Sequence, residues 1–294
     1  MKNNVIIIGS GHAGGITAIS LRQRRYQGSI TLIGEESFLP YQRPALSKGF
    51  LAGEIEEKRL YLKSEDYFDK NNIDIIRNCK VLAIDRNKKT VLLENLKELS
   101  FEKLIIATGS TVNKLKTSNR ETHIYYLRTI KDSLKIREKL SNKSKITNIG
   151  AGYIGLEIAS IAIKRNLGVN VVELESRVMG RVVSSEVSDY FQKKHELEGV
   201  EFKFNTSVTD IEDQGKQKKV ICSDGKCFHT DFVVVGIGIK PNIELAKSSG
   251  LECNNGILVN ENGQTSDPNI YAAGDCSNHP NNIFKQRLRL ESVQ

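Results

Sequence analysis

The chain contains two segments in which a short strand-like run leads into closely spaced glycines and then into a helix-like stretch. In the first, the β-branched run at residues 5–8 is followed by Gly9, Gly11 and Gly14 and then by GITAISLRQRR. A second apolar run, SITLIGEE, reaches Glu35, 21 residues beyond Gly14. The pattern predicts a buried strand, a glycine-rich turn, a helix and a second strand.

The same order of elements recurs in the middle of the chain. KITNIG is the predicted strand, Gly150, Gly152 and Gly155 are the spaced glycines, and YIGLEIASIAIKRN is the predicted helix. The next predicted strand lies in GVNVVELE and reaches Glu173, 18 residues past Gly155. The sequence therefore predicts two α/β units with the same beginning.

Three further apolar runs end in glycine-containing turns. KLIIATGS (103–110) and FVVVGIGIKPN (232–242) read as buried strands, and each is also typical of an ordinary α/β strand end. TSDPNIYAAGD (265–275) delivers Gly274 and Asp275 to the carboxyl end of a strand. Asp275 there is either a helix cap or an acceptor for a ligand hydroxyl.

Composition narrows the function classes. The 294 residues suffice for roughly two domains, and 39% hydrophobic with 27% charged residues is typical of a globular protein. The N-terminal apolar run is too short for a targeting or membrane segment, so we expect a cytoplasmic protein. The net charge of +8 is spread along the chain and carries no nucleic-acid motif, so a solvated surface or an acidic protein partner explains it.

The five cysteines form no CxxC pair, which argues against a disulfide scaffold, a metal site or a dithiol redox centre. Cys222 and Cys227 flank the turn SDGK; they either face each other across a hairpin or are ordinary strand residues, and we favour the second interpretation.

The glycine spacing predicts dinucleotide binding at both units. In the first, Gly9 allows the tight turn, Gly11 lets the backbone approach a pyrophosphate, and Gly14 lets the helix pack on the strand. The helix N-terminus adds amide donors for phosphate. Two such sites indicate two dinucleotides, and a nicotinamide with a flavin is the pair that has a reaction in common, because hydride passes between them.

The acid after each second strand stands where a ribose hydroxyl acceptor is expected. Glu35 has this position in the first unit and Glu173 in the second. A negative charge at Glu173 favours NADH over NADPH, whereas Arg177 and Arg181 just downstream could serve a 2'-phosphate or could be surface residues.

Several longer motifs resemble one family. YQRPALSKGFLAGE (41–54), RLYL, YLRT, GAGYIGLE, GIGIKPN, NGILVN, TSDPNIYAAGDC and RLRLESVQ together resemble the FAD-dependent ferredoxin reductases of the putidaredoxin, rubredoxin and biphenyl-dioxygenase reductase type, within the pyridine nucleotide-disulfide oxidoreductase superfamily. The resemblance covers residues 4–294 and implies two doubly wound, Rossmann-like α/β domains, one inserted in the other. It implies an FAD-binding domain at 1–110 and 239–294, an NAD-binding domain at 111–238, and a further C-terminal interface domain that this sequence does not contain.

The resemblance also implies the site residues. Those expected at FAD, from the resemblance and from the glycine pattern, are Gly9, Gly11, His12, Ala13, Gly14, Glu35, Arg43, Lys48, Val81, Ala107, Thr108, Gly109, Arg128, Gly274, Asp275, Glu291, Ser292 and Val293. Those expected at NADH are Gly150, Gly152, Tyr153, Ile154, Gly155, Glu157, Glu173, Arg181, Gly236, Ile237 and Gly238.

Lys48 and Glu157 are the expected catalytic residues. The resemblance pairs the two charges beside the nicotinamide, with Lys48 buried by the stiff, apolar segment that contains Pro44. Glu157 could instead only complement the dipole of its helix, and Tyr153 is either a packing residue or a ring that covers the flavin.

Disulfide reductases of similar fold carry a cysteine pair near the position of PALSK, where this chain has Ser47 and no cysteine between residues 1 and 78. The electrons are therefore expected to leave for an external ferredoxin or rubredoxin that supplies an oxygenase. The alternatives are an NADH oxidase, a monodehydroascorbate reductase, a non-catalytic NADH sensor similar to apoptosis-inducing factor, and a chain that does not hold FAD. The oligomeric state stays open.

Overall fold

The chain forms two units, and each is built from more than one stretch of the sequence. The structure is a computed structural model that describes residues 3–117, 123–140 and 144–291. The first unit comprises Met1–Gln42, Lys58–Thr111 and Lys240–Gln294, and the second comprises Arg43–Glu57 and Val112–Ile239.

The strands are short and the helices few in the described part of the chain. In chain order the strands are β1 (Asn4–Ile8), β2 (Ser29–Ile33), β3 (Ile73–Ile76), β4 (Val81–Asp85), β5 (Thr90–Leu93), β6 (Glu98–Ser100), β7 (Lys103–Ile106), β8 (Ser110–Val112), β9 (Ile124–Tyr126), β10 (Lys145–Ile149), β11 (Gly168–Val172), β12 (Val200–Lys203), β13 (Val208–Gln214), β14 (Gln217–Cys222), β15 (Cys227–Thr230), β16 (Phe232–Val235), β17 (Ile239–Pro241), β18 (Ile257–Leu258), β19 (Ile270–Ala272), β20 (Ser277–Asn281) and β21 (Gln286–Leu288). The helices are α1 (His12–Gln23), α2 (Gly49–Ala52), α3 (Glu65–Lys70), α4 (Ile130–Lys139), α5 (Tyr153–Lys164), α6 (Ser185–Leu197) and α7 (Glu244–Ser248), with short 3-10 helices at Arg43–Ser47 and Glu57–Arg59. Among the described residues, no helix has the length and apolar composition that a membrane crossing requires.

The first unit is built on a five-stranded parallel sheet in the order β19-β7-β1-β2-β3. Its central strand β1 is covered on both faces, which explains why its sequence is a continuous apolar run. Val5 and Ile7 pack in the cluster that contains Ala18 and Ile19 of α1. The alternate residues of β1 belong to a second cluster, which includes residues of the antiparallel β4-β5-β6 meander.

The second unit repeats this architecture. Its parallel sheet has the order β12-β11-β10-β16-β9, and a second antiparallel meander, β13-β14-β15, lies between β12 and β16 in the sequence. Ile149, Val172 and Val233 of the sheet pack with Val220 of the meander. The predicted fold class, two doubly wound α/β units with one inserted in the other, is confirmed, and β10-α5-β11 corresponds to β1-α1-β2.

One segment belongs to a different unit from the one that the resemblance implies. Residues Arg43–Glu57 belong to the second unit, whereas the resemblance assigns them to the first. The physical reason is their anchorage on α4 and α5: Ser133 Oγ donates to Leu46 O at 2.7 Å, and Arg165 Nη2 donates to Ala52 O at 2.8 Å. Which unit holds which dinucleotide stays a prediction.

Two cysteines flank the turn between β14 and β15. In this hairpin Ile221, not Cys222, pairs with Cys227, so the two cysteines do not face each other across the ladder. Cys222 is buried and Cys227 is exposed, and all five cysteines of the chain are free thiols. The interpretation as ordinary strand residues is confirmed.

Candidate functional site

The glycine-rich turn of the first unit leaves no room for side chains at two of its positions. Gly9 has a φ of +108°, and a Cβ built there would lie 2.1 Å from Ala107 O. A Cβ on Gly14 would lie 1.9 Å from Gly9 O, so α1 approaches the turn as closely as backbone permits. The glycines thus bring the N-terminus of α1 to the carboxyl end of β1.

The first turn of α1 has the donor set of an anion site. Gly11 is its N-cap, without a side chain to satisfy the first amides, and His12 and Ala13 begin the helix. Amides at such an end, together with the helix dipole, favour a phosphate group. The turn therefore fits the pyrophosphate of a dinucleotide.

Other predicted residues of the first unit lie at the same edge of its sheet. Ala107, Thr108 and Gly109 follow β7 directly, whereas Glu35 is exposed and lies two residues past β2. Gly274, after β19, has a φ of +79°, and a Cβ there would lie 2.8 Å from Ala13 Cβ. The carboxyl ends of parallel strands, where this fold class binds its ligands, therefore carry these residues.

Asp275 is held in place by a neighbour from another strand. Its Oδ2 accepts a hydrogen bond from Ser110 Oγ at 2.7 Å. Thr108, two residues before Ser110, exchanges two hydrogen bonds with Asn242: its Oγ1 donates to Asn242 O at 2.8 Å, and Asn242 Nδ2 donates to Thr108 O at 2.9 Å. These hydrogen bonds hold in place the loops at the edge of the sheet where Asp275 lies.

The remaining residues expected at FAD are distributed more widely. Val81 is buried at the start of β4, and Glu291 pairs with Arg289 at 2.5 Å. Arg43, Lys48 and Arg128 belong to the second unit, where Arg43 Nη1 donates to Arg128 O at 2.6 Å. Ser292 and Val293 lie outside the described residues.

The glycine turn of the second unit repeats the first and shows which glycine leaves space for a ligand. A Cβ on Gly150, whose φ is +101°, would lie 2.4 Å from Gly236 O, and a Cβ on Gly155 would lie 2.1 Å from Gly150 O. A Cβ on Gly152 would meet no atom of the described chain within 4 Å. Gly152, the N-cap of α5, therefore borders open space at a helix N-terminus, as a nucleotide phosphate requires.

The acid and the arginines after β11 have different surroundings. Glu173 Oε2 accepts from Ala151 N at 2.5 Å, so its carboxylate is tied to the glycine turn. Arg177 donates to three backbone carbonyls of residues 180–184, which assigns it to local structure. Arg181 is exposed, and its Nη2 would lie 3.9 Å from a Cβ on Gly238.

The loop after β16 completes this edge of the second sheet. Gly236, Ile237 and Gly238 follow the strand, and Gly238 has a φ of +94°. Asn113 holds the loop, since its backbone amide donates to Gly238 O at 2.9 Å. Tyr153 and Ile154 at the start of α5 are 55% and 39% exposed, so both are accessible at the same helix end.

Lys48 and Glu157 meet in the second unit. Lys48 Nζ lies 2.8 Å from Glu157 Oε1, which confirms the expected ion pair. The expected burial of Lys48 is wrong, because 54% of its side chain is exposed. Its segment Arg43–Ser47 turns as a 3-10 helix that directs Lys48 outward while Leu46 and Ser47 face inward.

Sequence reasoning missed the third member of this cluster. Ser47 Oγ donates to Glu157 Oε2 at 2.5 Å. In the sequence, Ser47 stands out only because disulfide reductases of similar fold carry a cysteine near this position. Its position beside Lys48 was the available signal, but the approach of this segment to α5 is a tertiary contact across 110 positions.

Comparisons with known proteins agree with this geometry. The model of the pyridine nucleotide-disulphide oxidoreductase family matches residues 3–292. The chain is 38% identical to putidaredoxin reductase of Pseudomonas putida over 99% of its own length and 71% of the relative's length. It is 39% identical to a rubredoxin–NAD(+) reductase of Pseudomonas putida, over 98% of this chain and 76% of the relative.

A solved structure shows the same likeness in three dimensions. The crystal structure of a covalent putidaredoxin reductase–putidaredoxin complex superposes with a TM-score of 0.96 and 37% identity, over 99% of this chain and 71% of that one. The resemblance inferred from the motifs is confirmed, and the chain belongs to the pyridine nucleotide-disulphide oxidoreductase family.

Proposed function

We propose that this protein is an FAD-dependent NADH:ferredoxin or NADH:rubredoxin oxidoreductase that supplies electrons to an oxygenase. The observation that carries the proposal is the duplicated glycine turn, once at β1-α1 and once at β10-α5, each with the donor set of a dinucleotide site. The names of the relatives support it, since they are reductases of putidaredoxin and rubredoxin.

The first unit is proposed to hold FAD. The amides at the start of α1 bind the pyrophosphate, Glu35 accepts a ribose hydroxyl, and Asp275, fixed by Ser110, accepts from the ribityl chain. With FAD held there, the first unit would supply flavin chemistry: acceptance of hydride from the nicotinamide and release of its two electrons one at a time.

The second unit is proposed to hold NADH. The open position at Gly152 receives the phosphates, and Glu173 places a negative charge where a 2'-phosphate would otherwise lie. Lys48 and Glu157 orient the nicotinamide, and their opposite charges compensate each other beside it.

The overall reaction balances with an external one-electron acceptor. NADH and two oxidised iron-sulfur proteins give NAD+, one proton and two reduced iron-sulfur proteins. The net charge of +8 suits an acidic partner, because complementary charge accelerates encounter. We also propose a cytoplasmic location, which agrees with NADH as substrate and with five free thiols.

An anaerobic titration of the FAD-loaded chain with NADH tests the proposal. We expect bleaching of the flavin absorbance with one equivalent of NADH, followed by reoxidation when an oxidised ferredoxin or rubredoxin is added. Reoxidation by oxygen alone, with no electron transfer to either protein, would instead indicate an NADH oxidase. Failure to bind FAD, or a flavin that NADH does not bleach, would contradict the proposal.

A further inference from the structure

Ser47 and Lys48 hold the two oxygens of the same carboxylate. Ser47 Oγ donates to Glu157 Oε2 at 2.5 Å, and Lys48 Nζ lies 2.8 Å from Glu157 Oε1. Two consecutive residues of one segment therefore determine how the Glu157 carboxylate is oriented.

The two donors differ in how firmly they can hold it. Lys48 is a long, flexible side chain with 54% of its surface exposed, and solvent weakens an ion pair in such a position. Ser47 is 5% exposed and has a single side-chain torsion to fix, so it loses little conformational freedom in the bond. The buried hydroxyl is the more rigid of the two anchors.

The backbone that carries Ser47 is itself anchored to the helix that carries Glu157. Arg165 at the end of α5 donates to Ala52 O at 2.8 Å. From α4, Ser133 Oγ donates to Leu46 O at 2.7 Å, and the Arg137 guanidinium lies 4.4 Å above the Phe50 ring. The segment that carries the Ser47 hydroxyl is therefore bonded to the helix that carries the Glu157 carboxylate. The distance between the two groups does not depend on the exposed Lys48.

We propose that Ser47 is a positioning residue: its hydroxyl holds the Glu157 carboxylate in the orientation in which it pairs with Lys48. Its consequence for hydride transfer rests on the function proposed above. Without the hydroxyl, Glu157 Oε2 loses this donor, the carboxylate turns towards solvent, and Lys48 Nζ keeps only its longer contact with Pro44 O at 3.3 Å.

The first test needs no cofactor. The intact chain is treated briefly with an amine-acylating reagent, and the rate of modification at Lys48 is followed by mass spectrometry. We expect Ser47→Ala and Glu157→Gln each to raise this rate by about two- to fivefold, because a lysine without its carboxylate partner is more available. Ser47→Thr, which keeps the hydroxyl, is expected to react within about twofold of the unchanged chain. Thermal unfolding of each variant shows that it is folded.

The second test measures reduction of the FAD-loaded variants by NADH in a stopped-flow instrument. Ser47→Ala is expected to lower the limiting rate about tenfold while the half-saturating NADH concentration stays within about twofold. If Ser47 acts through Glu157, adding Ser47→Ala to Glu157→Gln lowers the rate no further.

Two results would overturn the proposal: a Lys48 acylation rate in folded Ser47→Ala equal to that of the unchanged chain, or independent, multiplicative losses in the double variant. If NADH does not reduce the unchanged FAD-loaded chain, the proposed function fails. The acylation rates still decide the role of Ser47 in that case.

Discussion

Glu173 closes the glycine turn of the second unit by accepting a hydrogen bond from Ala151 N, 2.5 Å from its Oε2. Ala151 lies between Gly150 and Gly152 and is fully buried. The other oxygen, Oε1, accepts from Glu175 N at 2.9 Å. The acid that we assign to nucleotide choice therefore also shapes the turn that receives the phosphates.

This double role makes Glu173→Arg informative. We expect the ratio of kcat/KM for NADH to that for NADPH to fall, because a positive charge replaces a negative one where a 2'-phosphate would lie. We also expect KM for both nucleotides to rise, since the buried Ala151 amide loses its acceptor, at a cost of about 1–3 kcal/mol. Steady-state kinetics with both nucleotides measure the two effects.

Glu201→Arg on β12 is the matched control, because it makes the same charge change at an exposed position. Its nucleotide ratio should equal that of the unchanged enzyme. An unaltered ratio in folded Glu173→Arg would show that this acid does not determine nucleotide choice.

The second turn also permits a comparison of two glycines in one loop. Gly152→Ala should fold normally, because its Cβ meets no described atom within 4 Å and its φ of −78° suits alanine. It should nevertheless weaken NADH binding by about tenfold or more, because the methyl group occupies the space of the phosphates. Equilibrium titration with NADH measures this loss.

Gly155→Ala should behave in the opposite manner, because its Cβ would lie 2.1 Å from Gly150 O. We expect a loss of about 1–3 kcal/mol or more in the free energy of unfolding, visible as a lower melting temperature. Equal melting temperatures for the two variants, or unchanged NADH affinity in Gly152→Ala, would contradict the assignment of this loop.

The strands and the glycine turns of the two units could be predicted from short stretches of consecutive residues. The apolar run of β1 and the strand β10 are buried on both faces, and the glycine positions need either a positive φ or a backbone contact that a Cβ would prevent. Burial of a strand and the need for glycine in a turn both depend on neighbouring residues in the sequence. Hydrophobic periodicity and glycine spacing therefore predict them.

The cluster around Glu157 could not be derived in this way. Lys48 and Glu157 are far apart in sequence, and only the resemblance brought them together. The resemblance did not give the exposure of Lys48, the hydroxyl of Ser47 or the anchorage of residues 43–57 on α4 and α5. All three depend on how one segment docks on two helices, which is a property of tertiary packing.

That docking depends on Arg137 of α4. Its guanidinium lies 4.4 Å above the Phe50 ring and donates to Phe50 O, while burial and then the nearby Arg165 lower its pKa. Arg137→Ala removes both contacts, and we expect a loss of about 1–3 kcal/mol in the free energy of unfolding. Lys135→Ala on the same helix, at an exposed position, should change it by less than about 0.5 kcal/mol. Thermal unfolding compares them, and equal melting temperatures would show that Arg137 does not anchor the segment.

The five thiols should differ in the rate at which they react with a disulfide reagent, with one fast thiol and four slow ones. Burial raises the pKa of Cys79, Cys222, Cys253 and Cys276 above the ordinary value, and Cys227 is exposed. A raised pKa means less thiolate at pH 8, and the thiolate is the reactive form, so these four thiols should react slowly with a disulfide reagent and faster as the pH rises. We expect the fast phase of the native protein to correspond to one thiol and to disappear in Cys227→Ser. Survival of the fast phase in Cys227→Ser would place a reactive thiol among the other four cysteines, and would reopen the possibility of a cysteine in the redox chemistry.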